Sequence, residues 1–315
     1  MQTERISYKG WTDCWHLENA GIEVIVLADV GPRIIHLSLS GHENEFYEVA
    51  EDAGKSGGEA FRMYGGHRLW MAPEGASTAY PDNAPVSKQV HDDAATFIAE
   101  IETTGVQKQI EVEVLADSKV RVSHFIANRS ERPIHLAPWA LTVMRPGGCV
   151  IMPLPPGAPH GSEHLQSVAS LALWSYTDLT AGCWQLGPQY LQFDQRLAAA
   201  SRFGMQKLGL RNPAGWGAYL NGGHLFIKAI AWRESAYPDL GSNFETFAND
   251  KFIELETLGP EATLTPGQST GHVEYWGLWK DVQASHEGFL PPDIIEREIE
   301  PKAEGLLRSF ESRDR

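Results

Sequence analysis

Short runs of β-forming residues, broken by Gly, Pro, Asn and Asp, recur along this chain with no helical period between them. That texture constrains the fold more than any other feature. Strands that follow one another without intervening helices pair antiparallel, because parallel pairing needs a long crossover. Residues 21–28, the turn Asp29-Val30-Gly31-Pro32 and residues 33–40 read as strand, turn, strand. Residues 110–115 and 119–127, joined by Ala116-Asp117-Ser118, form the clearest hairpin: Ile110, Val112 and Val114 alternate and are answered by Val120 and Val122. Further strands are predicted over 134–144, 223–232, 251–258 and 272–278. Few short helices are expected, the clearest in the tail, from about 291 to 315, where Ile295, Ile299, Ala303 and Leu306 recur at helical spacing. Pro301 falls inside that pattern and predicts a kink or break. The expectation is an all-β chain, one large antiparallel sandwich domain over residues 1–315 with a helical C-terminal tail.

Composition narrows the partners. Against 26 Lys+Arg stand 41 Asp+Glu, a net charge of −15, which argues against nucleic acid or an anionic membrane surface as partner. Ten tryptophans exclude disorder. Three widely spaced cysteines, Cys14, Cys149 and Cys183, fit neither a disulfide framework nor a zinc ribbon. The first residues lack an apolar signal core, and the longest apolar runs fall short of the roughly 20 residues a spanning helix needs. A cytoplasmic protein with reduced thiols is expected.

Four segments carry the chemistry. In Tyr64-Gly65-Gly66-His67-Arg68-Leu69-Trp70-Met71-Ala72-Pro73-Glu74, a glycine pair is followed by a donor fork, an aromatic face and a carboxylate. That is the set needed to hold a polyhydroxylated ligand, although a tight turn with locally satisfied side chains accounts for it equally well. The turn-forming stretch from Ala236 to Phe247 brings Tyr237, Asp239, Asn243 and Glu245 together, or is simply a surface loop. In Phe252-Ile253-Glu254-Leu255-Glu256-Thr257-Leu258-Gly259-Pro260, period 2 puts Glu254 and Glu256 on one face of a strand. Near a low-dielectric pocket one of the two is a candidate general base. Lys228 lies within an apolar strand, where a lysine either snorkels outward or serves a site.

Two further motifs are set aside. His160-Gly161-Ser162-Glu163-His164 matches an inverted zinc-peptidase pattern, but it follows Pro159 and holds Gly-Ser where a stable helix is required. Gly54-Lys55-Ser56 is only the second half of a phosphate loop. Neither a metal nor an organic cofactor is expected.

These segments resemble the galactose mutarotase-like superfamily, the aldose 1-epimerases and their relatives, and more narrowly its DUF4380 branch. The resemblance rests on the Gly65–Glu74 segment, on Leu136-Ala137-Pro138-Trp139-Ala140-Leu141-Thr142, on Tyr237-Pro238-Asp239-x-Gly241-Ser242-Asn243-x-Glu245, and on the Phe252–Pro260 segment. It implies a two-layer supersandwich with a sugar cleft on one sheet. In that family a late-strand Glu takes the proton of the anomeric hydroxyl. Leu255-Glu256-Thr257 fits best, making Glu256 the expected base with Glu254 as fallback, and Arg68 the holder of sugar hydroxyls. Where mutarotases carry an acid His, this chain reads Trp139, so His67 and Lys228 become the candidate acids. Trp70, Glu74, Trp139, Tyr237, Asp239, Asn243, Glu245 and Glu254 complete the expected sugar contacts. Three readings follow: an epimerase or mutarotase acting on a hexose or hexuronate, a non-catalytic carbohydrate-binding protein, or a uronate lyase using Arg68 with Lys228.

Overall fold

In a computed structural model of the chain, the described residues are all except 20, 76, 77, 79, 80, 162, 164, 283–287, 314 and 315, and the side chains of 311–313 are also left aside. Twenty-one strands among the described residues pair antiparallel into an 11-stranded and a 10-stranded sheet. The expected hairpin is present as Val106–Leu115 and Lys119–Asn128, and the early one as Ile22–Leu27 and Arg33–Leu39. His160-Gly161-Ser162-Glu163-His164 includes Ser162 and His164, which lie outside the described residues.

The middle of the larger sheet runs, in spatial order, Arg33–Leu39, Gly66–Ala72, Ile134–Met144, Ile253–Leu258, Phe244–Ala248 and Gln206–Leu210. Alternation then decides which side chains meet. Leu69, Met71, Met144, Ile253, Leu255, Phe244, Leu208 and Leu210 point inward. There they pack on Val120, Val122, Ile126, Phe193, Phe226, Trp276 and Leu278 of the smaller sheet. The residues between them face away from this core. Trp70, Ala72, Ala137, Trp139, Leu141 and Leu258 form a separate apolar patch on the outer face.

The smaller sheet has an apolar outer face too, from Leu225, Ile227, Ala229 and Tyr275, and the C-terminal helices Pro292–Glu298 and Glu300–Arg313 cover it. Ile295, Ile299, Ala303 and Leu306, the residues picked out by their spacing, are fully buried there. The helix breaks at Ile299, two residues before Pro301. Pro301 thus sits in the first turn of the second helix, where its missing N–H costs nothing. Cys14, Cys149 and Cys183 are buried and free. Among the described residues no helix is long and apolar enough to cross a membrane.

Candidate functional site

The outer face of the larger sheet carries a cleft of about 230 Å³. Its charged and polar lining is Arg68, Lys207, Glu254, Glu74 and Tyr176, and its aromatic lining is Trp70, Trp139, Phe61, Phe247 and Phe252. Register brings these together from distant parts of the chain. Trp70 pairs with Trp139, which pairs with Leu258; one row along, Arg68, Leu141, Glu256 and Glu245 lie side by side; in the next, Glu254, Phe247 and Lys207 do. The glycine pair sets the start of the first strand. Gly65 and Gly66 both have positive φ, and a Cβ on Gly66 would stand 2.2 Å from the carbonyl oxygen of Ile34. Only glycine lets the chain turn against the neighbouring strand and deliver Arg68 and Trp70 outward.

The two same-face glutamates have different surroundings. Glu256 is fully buried, and its Oε2 accepts from Trp139 Nε1 at 2.7 Å and Lys207 Nζ at 3.0 Å. Lys207 also stands 2.8 Å from Glu245 and lies over the Trp139 and Trp174 rings at 4.6 and 4.7 Å. Burial pulls the Lys207 ammonium down, but Glu256 and Glu245 outweigh it and hold it above its ordinary value. Burial raises the Glu245 carboxyl, with Lys207 pulling the other way. Glu254, by contrast, lines the cleft, with Arg68 Nη2 3.3 Å from its Oε1. Burial raises its carboxyl to about 7, with Arg68 pulling the other way. The group open to a ligand is therefore Glu254, and Glu256, expected as the base, is sealed beneath Trp139 in an ion pair.

Several expected residues lie elsewhere. His67 alternates with Arg68 and so faces the space between the sheets, fully buried. Lys228, on the smaller sheet, is fully buried in the same layer, 2.9 Å from Glu274, and donates to the carbonyls of Ala140 and Leu255. Neither reaches the outer face, so neither can protonate a ligand there. The pairing of Arg68 with Lys228 on which a lyase depended also fails, because the two lie on opposite faces of the larger sheet. Tyr237 is stacked on Trp232 and donates to the Arg233 carbonyl; Asn243 is tied to the backbone of Asn212; Asp239 sits in a left-handed turn. None of the three lines the cleft, because the turn chemistry serves the chain's own reversal. Glu245 touches the site only through Lys207. Arg68, Trp70, Glu74, Trp139 and Glu254 do converge on the cleft.

The buried layer beneath Arg68 is a hydrogen-bonded network. His124 Nδ1 donates to the His272 carbonyl, His67 Nε2 lies 2.7 Å from His124 Nε2, and His67 Nδ1 meets the Thr142 hydroxyl at 2.9 Å. One tautomer assignment satisfies all three contacts. Burial lowers the pKa of all three histidines, His272 to about 3, so they are neutral at pH 7. Glu274 accepts from Thr257, Trp276 Nε1 and Lys228. Ligand atoms of His67, His124 and Glu274 lie within 4.8 Å of one another, a spacing a metal ion can use. Lys228 already neutralises Glu274, however, and a dication would sit against a buried ammonium. The arrangement fits a structural polar core better than a metal centre.

Solved structures share this architecture. A galactose mutarotase-like protein from Lactobacillus casei aligns with a TM-score of 0.59 at 10% identity, covering 84% of this chain and all of the other. A galactose mutarotase related enzyme from Lactobacillus acidophilus gives 0.52 at 12% identity, covering 85% of this chain and 98% of its own. A galactose mutarotase-like protein from Clostridium acetobutylicum gives 0.50 at 11%, over 89% and 98%. The fold is the galactose mutarotase-like sandwich. No protein-family model and no curated protein matches the chain by sequence. At such identities the likeness speaks for the fold alone.

Within this mutarotase-like sandwich, sequence reading passed over Lys207, the cation that locks Glu256, and Tyr176, Phe247 and Phe252 in the wall. Lys207 carried a signal: it alternates with Leu208 and Leu210, a charge in a short apolar strand, as Lys228 is. Tyr176 comes from a turn where no period marks it, whereas Phe247 shares the face of Glu245 and Phe252 extends the alternation of Glu254 and Glu256.

Proposed function

We propose that the cleft is a sugar site and that the protein acts as an aldose epimerase of the mutarotase type on a hexose or hexuronate, with Glu254 as the proton-transfer group. The observation that carries this reading is a buried carboxyl raised to about 7 inside an aromatic cleft of monosaccharide size. Trp70 and Trp139 offer ring faces for the sugar's C–H surface, and Arg68 offers donors for its oxygens. The Glu254 carboxylate takes the proton of the anomeric hydroxyl. The bond from the anomeric carbon to the ring oxygen breaks, and Glu254 returns the proton to that oxygen. Both oxygens are bonded to the same carbon, so one carboxyl can serve each in turn. Rotation of the open carbonyl and the reverse sequence close the ring on the other face. A pKa near 7 suits a group that must act as base and then as acid. The likeness of fold to mutarotase-like proteins supports the same reading, and the narrower resemblance to the DUF4380 branch belongs to it.

A second reading is sugar binding without turnover. It is favoured by one observation: among the described lining residues there is no histidine, and Lys207 is held by two glutamates. Exchange spectroscopy on freshly dissolved anomers separates the two. The epimerase reading predicts faster anomer exchange with protein, falling about 10²–10⁴-fold in Glu254→Gln. Saturable binding in calorimetry with exchange at the buffer rate establishes the binding reading instead.

A further inference from the structure

Hexose and hexuronate differ by one carboxylate, and the cleft holds one buried cation with donors to spare. Arg68 is only 4% exposed, yet its Nε and Nη1 have no hydrogen-bond partner among the described residues, and Nη2 reaches Glu254 only at 3.3 Å. Its guanidinium carbon stands 4.4 Å from the centre of the Trp70 ring, so the cation and the aromatic wall of the cleft are in contact. Lys207 spends two of its three N–H donors on Glu256 and Glu245, which flank its charge from both sides. Arg33, paired with Arg68 across the adjoining strand, is not free for a ligand: its Nη1 donates to the carbonyls of Met63 and Gly65 and its Nη2 lies 3.8 Å from Asp82. A buried guanidinium left with open donors is costly, and a planar carboxylate can accept from two of them at once, whereas a hydroxyl accepts from one.

We infer that the cleft takes a sugar bearing a carboxylate, a hexuronate in preference to a hexose, with Arg68 holding that carboxylate. This rests on the sugar-site reading and sharpens it. In a hexuronopyranose the carboxylate is carried on the ring carbon that flanks the ring oxygen, opposite the anomeric carbon. Adjacent Arg68 and Glu254 therefore meet the two ends of one edge of the ring. A planar carboxylate also matches a guanidinium edge and adds little bulk to a cleft of about 230 Å³.

The test is calorimetry on the intact protein at neutral pH and low salt. The probes are D-galacturonate and D-glucuronate against D-galactose and D-glucose, with D-glucose 6-phosphate as the alternative oxyanion. The expected result is that one uronate binds about tenfold or more tightly than its matching hexose, and that this preference shrinks at high salt. Arg68→Met brings the ratio to about one by weakening uronate binding far more than hexose binding, and Arg68→Lys keeps only part of the preference. If Arg68→Met does not fold, the wild-type ratio and its salt dependence decide. Hexose binding as tight as uronate binding, or a preference for the sugar phosphate, overturns the inference and leaves the sugar site standing. Failure of every sugar to bind removes the inference and the sugar site together.

Discussion

Glu254 and Glu256 are two residues apart on one face of one strand, and what separates them is which neighbour reaches them. Lys207 comes from a strand two positions away and closes over Glu256, while Glu254 keeps only a long contact to Arg68. Since burial holds Glu254 near 7 and catalysis starts from its carboxylate, anomer exchange should rise as pH increases through about 7. A pH–rate profile checks this, and Arg68→Met should move the midpoint upward, because Arg68 opposes the effect of burial. The same raised value withdraws stability as pH rises: the contribution of neutral Glu254 is complete below the unfolded carboxyl range and is lost through about 7. Lys207→Met leaves Glu256 and Glu245 buried without their cation, and chemical denaturation should show a loss on the order of 3–5 kcal/mol. Replacing Trp70 by Ala should weaken sugar binding by about 1–3 kcal/mol in calorimetry, as for other aromatic anchors.

Strands are the level at which the chain was most legible. Alternation in residues 110–127 and the turn chemistry of 29–32 give both hairpins, and the spacing of Ile295, Ile299, Ala303 and Leu306 gives the tail. Which way a strand faces was legible only where one face is polar. Glu254 and Glu256 declare a shared face, but Leu225 to Ile230 are all buried, so nothing in that run says whether Lys228 faces the other sheet or a ligand. The same holds for Gly66–Ala72, buried throughout, in which His67 and Arg68 point opposite ways. The glycine pair is testable at this scale. Gly66→Ala puts a methyl into the Ile34 carbonyl at positive φ, and should cost about 2–4 kcal/mol in denaturation. Deleting residues 300–315 uncovers the apolar outer face of the smaller sheet, and light scattering should then report association.

Over the whole molecule the net charge of −15 hides a cleft whose open donor group is cationic. Composition gave no hint of this local reversal, because it arises from strands that are brought side by side only in the folded sheet. The most direct test of the central claim is a crystal structure of the protein soaked with a hexuronate. The account predicts a sugar ring against Trp70 and Trp139, its anomeric hydroxyl within hydrogen-bonding distance of Glu254 and its carboxylate on Arg68. A sugar bound at another surface, with this cleft filled by solvent alone, contradicts it.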